Sequence, residues 1–173
     1  MLGDAATELT LIRHAPVLGD GCAYGQRDLP ADCSDRAAFA ALADELPRPE
    51  RLICSPAKRC LQTAQMLWPD LDPEIDPALW EQCLGDWEGQ SYADLPDYGP
   101  MSRDDLAQLC PPNGESFADL YARVSPAIAT YLTGTNATII AHSGTIRSAV
   151  ALALGAIPAA LAFDVAPLSH SVI

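Results

Sequence analysis

Positive charge is what this chain of 173 residues has least of: ten Lys and Arg stand against 23 Asp and Glu, a formal net charge of −13. A balance so acidic argues against nucleic acid as a partner, because phosphate backbones are bound by basic surfaces. A small phosphorylated substrate stays open, since its affinity is decided locally. Long apolar runs are missing too. The longest, Ser148 to Phe163, is interrupted by Gly155 and Pro158 and is too short to cross a bilayer, so no membrane partner is expected. The opening MLGDAATELT has acids and no basic segment before an apolar stretch, unlike a signal peptide. Six cysteines form no CxxC pair and no metal-ligand spacing, and read as reduced thiols of a cytoplasmic protein. No Gly-rich P-loop, magnesium-binding Asp cluster or nucleophile elbow is present. With 49% hydrophobic and 19% charged residues, the chain fits one globular domain spanning 1–173 with a real core.

What is there alternates. Apolar strand candidates Leu9–Ile12, Arg51–Cys54 and Thr138–Ala141 are separated by amphipathic helices, with a weaker strand near Glu74–Trp80. Ser34 and Asp35 can cap a helix carrying Phe39, Leu42 and Leu46, stopped by Pro47 and Pro49. Ser55-Pro56 reads as N-cap and first helical position of a helix to about Trp68. Gln90 to Asn113 is an excursion with one short helix at Arg103–Leu109. Phe117, Leu120, Val124, Ile128 and Leu132 mark a helix expected to bend at Pro126. Ser143-Gly144 opens a last long helix to Leu154. Alternating strand and helix predicts an α/β fold of three layers, a mostly parallel sheet with helices on both faces. Ligands of such sheets bind beyond the carboxyl ends of the strands.

Polar chemistry collects at those ends. Arg13-His14 follows the first strand, Lys58-Arg59 opens the helix after the second, and His142-Ser143-Gly144 follows the third. Glu81 precedes the run Gly85-Asp86-Trp87-Glu88-Gly89. Two of only three histidines therefore follow two of the clearest strands, each with an arginine beside or near it. His170 has no such company. Guanidinium groups bind phosphate oxygens as rigid forks, and a helix start adds backbone N–H donors. A neutral imidazole can attack phosphorus, and a carboxylic acid can protonate the leaving alkoxide. Together these residues point to phosphoryl transfer without a metal or other cofactor. A zinc site built from His14, His142 and Glu81 would share the residue types, but the neighbouring arginines would repel the metal.

The segments LIRHAP, SPAKRCLQTA, WEQCLGDWEG, PPNGES and AHSGTIR, in that order, resemble the histidine phosphatase superfamily, the phosphoglycerate-mutase-like fold. The middle motif is similar to the small bacterial phosphatases that include alpha-ribazole phosphatase of cobalamin synthesis. The resemblance implies His14 as the phosphorylated nucleophile, with Arg13, Arg59 and His142 as a cationic cradle. It implies Glu81 as general acid and then base, with Glu88 as the rival carboxylate. Ser143, Gly144, Tyr24 and Gly25 would help hold phosphate. Family members need no cofactor, so none is expected here.

Three departures stand out. Ala15 replaces the usual glycine, Val17 a usual hydroxyl residue, and Asp20 a phosphate-contacting asparagine. The chain ends in what reads as a late strand, leaving open whether the family's last strand is present. The expected activity is hydrolysis of a small phosphorylated metabolite, alpha-ribazole-phosphate-like or a sugar phosphate, through a phosphohistidine. Dephosphorylation of protein phosphohistidine and non-catalytic phospho-ligand binding are the alternatives. The aromatics Trp80, Trp87, Tyr92 and Tyr98 are expected to help cover the pocket. The best rate is expected on the acid side of neutral. Alanine-rich faces between Ala149 and Ala162 are candidates for a homodimer contact.

Overall fold

In the computed structural model, which describes residues 7–19 and 21–173, inward-facing apolar residues build a five-stranded sheet. The strands are β1 (Leu9–Arg13), β2 (Leu52–Cys54), β3 (Glu74–Ile75), β4 (Ala137–Ala141) and β5 (His170–Val172). Their order is β3-β2-β4-β1-β5, with β5 alone antiparallel. Side chains alternate across a strand, and this alternation sorts the core into two layers. Leu9, Leu11, Ile53, Ala137, Ile139 and Ala141 point to one face, and Ile12, Leu52, Cys54 and Ile140 to the other.

Helices α1 (Arg36–Glu45) and α2 (Lys58–Leu67) cover the second face through Phe39, Leu42, Cys60, Ala64 and Leu67. The first face is covered by α3 (Arg103–Gln108), α4 (Phe117–Tyr131), α5 (Ser143–Leu154) and α6 (Ile157–Ala160). No described helix is long and apolar enough to cross a membrane.

Local chemistry explains the helix boundaries. Asp35 caps α1 by accepting from Ala38 N, Ser102 caps α3, and Ser116 with Asp119 forms a reciprocal capping box on α4. Helix α4 runs through Pro126. Helix α5 ends on Gly155 in the left-handed region.

Three expectations change. Ser55 does not cap α2, which starts at Lys58; its Oγ lies 2.8 Å from His142 Nε2. The cap instead comes from a distant loop, where Asp28 Oδ1 accepts from Lys58 N at 2.8 Å. The strand expected over Glu74–Trp80 shortens to Glu74–Ile75, because Asp76 caps a 3-10 turn over Pro77–Leu79. The alanine-rich faces between Ala149 and Ala162 narrow: Ala149, Ala151 and Ala160 are completely buried in the chain's own core, while Ala153 and Ala162 stay exposed.

Ile139 is fully buried and pairs with both Leu11 and Ile53 in the two flanking strands. Ile139→Ala should cost about 2–5 kcal/mol, through lost transfer energy plus an unfilled cavity. Urea unfolding at constant m-value checks this; a loss below about 1 kcal/mol would mean the layer can collapse around the gap.

Candidate active site

The parallel register Arg13↔Ala141 between β1 and β4 sends the next residue of each strand out of the sheet together. Those residues are His14 and His142. Their rings meet edge to face with centroids 5.2 Å apart. Beyond them opens a cleft of about 400 Å³, lined by Arg13, His14, Arg59 and Glu81 together with Ser143 and Gly144 from the start of α5. Tyr24 and Gly25 also border it. It lies where doubly wound sheets bind ligands.

His14 is 5% exposed. Its Nδ1 lies 2.7 Å from the Ala15 carbonyl, an acceptor only, so Nδ1 carries the proton and Nε2 keeps its lone pair. Burial, reinforced by the Arg59 and Arg13 charges, lowers its pKa to about 3. His142 is fully buried, and burial with Arg59 holds its pKa well below the ordinary value. The ring lies behind His14 with Trp80 stacked on it at 6.2 Å between centroids, and it is not among the residues lining the cleft.

The arginines are tethered before any ligand arrives. Arg59, 2% exposed, donates to the Arg27 carbonyl at 2.8 Å and the Gly25 carbonyl at 2.9 Å. Arg13 Nη1 donates to the Val165 carbonyl, while its buried Nε has no partner among the described residues. Arg147, from the second turn of α5, also lines the cleft and donates from Nε to the Phe163 carbonyl at 2.9 Å. Its place in the AHSGTIR segment was visible in the sequence, but its role was not assigned there.

Glu81 reaches the same space. Its Oε1 accepts from Gln82 N at 3.0 Å, and its Oε2 lies 3.4 Å from both Gly144 N and Ser143 Oγ. A Cβ on Gly144 would overlap Glu81 Oε1 and crowd the Leu120 methyl, so only glycine lets the carboxylate approach the helix start. Glu88, the rival, does not line the cleft; its Oε1 accepts from Gln26 N and Leu84 N at 2.8 and 3.0 Å and ties two loops together. Gly25 needs a positive φ of 50°, and a Cβ there would strike the Glu88 carboxylate.

Sequence reading missed the clamp that holds Glu81. Arg123 of α4 donates to the carbonyls of Ala78, Trp80 and Glu81 at 2.8–3.2 Å, and pairs in two places with Glu115. Its signal was a solitary cation on an otherwise amphipathic helix in a chain poor in cations.

The departures are accommodated. Ala15 is fully buried with φ outside the left-handed region, and its N–H donates to Thr63 Oγ1 at 3.0 Å. Val17 lines the cleft and bridges to Ala31. Asp20 lies outside the described residues. Of the aromatics expected as cover, Tyr92 borders the cleft, while Trp87 packs near Tyr98 at 6.2 Å. Among the described residues, no group of three or more His, Cys, Asp or Glu could hold a metal.

Comparison with known proteins agrees with this geometry. Residues 9–173 match the histidine phosphatase superfamily (branch 1). The 6-phosphofructo-2-kinase/fructose-2,6-bisphosphatase of Caenorhabditis elegans is 33% identical over 132 residues, covering 72% of this chain, which spans 29% of that relative's length. Glucosyl-3-phosphoglycerate phosphatase of Mycolicibacterium vanbaalenii is 30% identical over 166 residues, covering 85% of this chain and 74% of its own length. The crystal structure of the alpha-ribazole phosphatase from Shigella flexneri superimposes with a TM-score of 0.81 at 26% identity, covering 96% of this chain and 90% of its own. This chain belongs to the histidine phosphatase superfamily, in its small bacterial branch, and is by class a phosphoric monoester hydrolase.

Proposed function

We propose that the chain hydrolyses a phosphomonoester of a small metabolite in two steps through a phosphohistidine on His14. The observation that carries this reading is the pairing of a buried, neutral His14, its Nδ1 proton committed to Ala15, with Glu81 in the same cleft. In the first step His14 Nε2 attacks phosphorus, and the bond to the ester oxygen breaks. Glu81, protonated, gives its proton to the departing alkoxide. In the second step the Glu81 carboxylate takes a proton from water, which attacks the phosphohistidine and releases phosphate. Arg13, Arg59 and Arg147 with the α5 N-terminus stabilise the phosphoryl charge in both steps, and their tethers mean little reorganisation at the moment of reaction. His142 packs edge to face behind His14. The His14 imidazole stays neutral down to about pH 3, so its protonation is not expected to limit the rate in mildly acid solution. The relatives named for glucosyl-3-phosphoglycerate and alpha-ribazole phosphate support a small phosphorylated substrate without deciding between them.

Hydrolysis of p-nitrophenyl phosphate in EDTA should persist in the wild type and fall by about 10³-fold or more in His14→Ala. Loss of activity in EDTA would refute a metal-free reaction. For Glu81→Gln, kcat/KM should drop about 10²–10⁴-fold with an alkyl phosphate but far less with p-nitrophenyl phosphate, whose leaving group needs little protonation. Equal losses would mean that Glu81 is not the proton donor.

Gly144→Ala should lower kcat about tenfold or more with little change in KM, since the new methyl displaces Glu81 while the arginine tethers stay intact. A wild-type kcat would show that the carboxylate does not work from this position.

Buried neutral histidines also set a pH dependence of stability. Their folded pKa values are depressed, so between the unfolded value near 6.5 and the folded values the unfolded chain binds more protons. Stability is therefore full above about pH 6.5 and falls as pH drops. The slope approaches about 1.4 kcal/mol per pH unit for each histidine. Urea midpoints between pH 7 and 5, above most carboxylate titration, measure it; a flat profile would contradict the burial of both rings.

A further inference from the structure

A second hollow of about 210 Å³ adjoins the active-site cleft and is walled differently. The two share Gln82, Leu84, Phe117 and Leu161, which form a sill between them. Beyond the sill the walls are Trp87, Leu106, Leu109 and Pro111. Seven of the eight lining residues are therefore apolar, and the eighth, Gln82, already donates from Nε2 to the Glu115 carbonyl at 2.6 Å. Charge is confined to the other end, where Arg13, Arg59, Glu81 and Arg147 stand.

Resting on the mechanism above, we infer that this alcove receives the alcohol part of the substrate, and that the preferred phosphomonoesters carry an apolar chain or ring. The direction follows from the proton donor. Whatever oxygen leaves must sit against Glu81, and Gln82 and Leu84, one and three residues after Glu81, belong to the sill. The leaving group therefore exits towards the alcove. Shape alone would admit a polyol of the same length. The walls oppose it, because hydroxyls entering them lose water and gain almost no partner, at about 1–3 kcal/mol each. An apolar group gains instead, since Leu106 is 43% exposed without a ligand and would be covered by one. The same hollow marks out Leu109 and Trp87 as determinants of specificity that take no part in the chemistry.

The test is calorimetric binding of ethyl-, butyl- and hexylphosphonate, which cannot be hydrolysed, beside a hexylphosphonate analogue bearing hydroxyls along its chain. Each methylene that enters the alcove should tighten binding about fourfold, from ~0.8 kcal/mol per buried CH₂, so hexylphosphonate should bind at least tenfold tighter than ethylphosphonate. The heat-capacity change should grow more negative along the series. Leu109→Asp should flatten the dependence on chain length, and the slope is the readout whatever the variant does to absolute affinity. A flat wild-type series, or a hydroxylated chain binding more tightly than hexyl, overturns the inference. Because binding needs no turnover, these results stand apart from the p-nitrophenyl phosphate assay: an active enzyme with a flat series loses only the alcove, and an inactive chain with a steep series loses only the phosphatase mechanism.

Discussion

The register of one strand pair governs this site. Because β1 and β4 run parallel with Arg13 opposite Ala141, the two residues that follow must leave the sheet side by side. The His14 N–H then donates to the Ala141 carbonyl at 3.0 Å, and the imidazoles come within 5.2 Å of each other. Strand β2, on the far side of β4, extends the arrangement: Cys54 pairs with Ile140, and Ser55 N donates to the Ile140 carbonyl. Ser55 Oγ is thereby brought to His142. A slip of one residue in the β1–β4 pairing would turn Leu9 and Leu11 away from their core layer as well as part the histidines. The catalytic geometry is thus held by the same burial that holds the sheet.

Scarce cations are used twice. Arg59 fixes the carbonyls of the loop carrying Tyr24 and Gly25, Arg13 and Arg147 fix the carbonyls of Val165 and Phe163, and Arg123 fixes the backbone under Glu81. Three of these side chains also face the cleft. A guanidinium offers five donors in a rigid fork, so some can bind the protein's own carbonyls while the charge still reaches a ligand. This arrangement explains how a chain with a net charge of −13 can hold a phosphoryl group: the long-range field is unfavourable, but the local donors are ordered in advance.

The parts of the fold legible in the sequence were those governed by short-range patterns. The strands at Leu9, Arg51 and Thr138 and the helices with apolar residues at helical spacing all emerge within a residue or two of expectation. Ser55 and Glu74–Trp80 misled for a common reason. A hydroxyl next to proline satisfies the local rule for a cap, but a buried histidine 87 positions away took it. An apolar stretch satisfies the local rule for a strand, but Asp76 turned it into a 3-10 coil that hands its end to Arg123.

By itself the sequence determined the alternating α/β order, the two-sided core and the identity of the chemical groups, because periodicity and motif order are properties of neighbouring residues. Only the tertiary structure decided that His142 lies buried behind His14, that Glu81 and not Glu88 enters the cleft, and that an apolar hollow adjoins it. These depend on burial and on contacts between residues far apart in the chain. Protonation and access are set by what surrounds a side chain in space, and no local pattern records that.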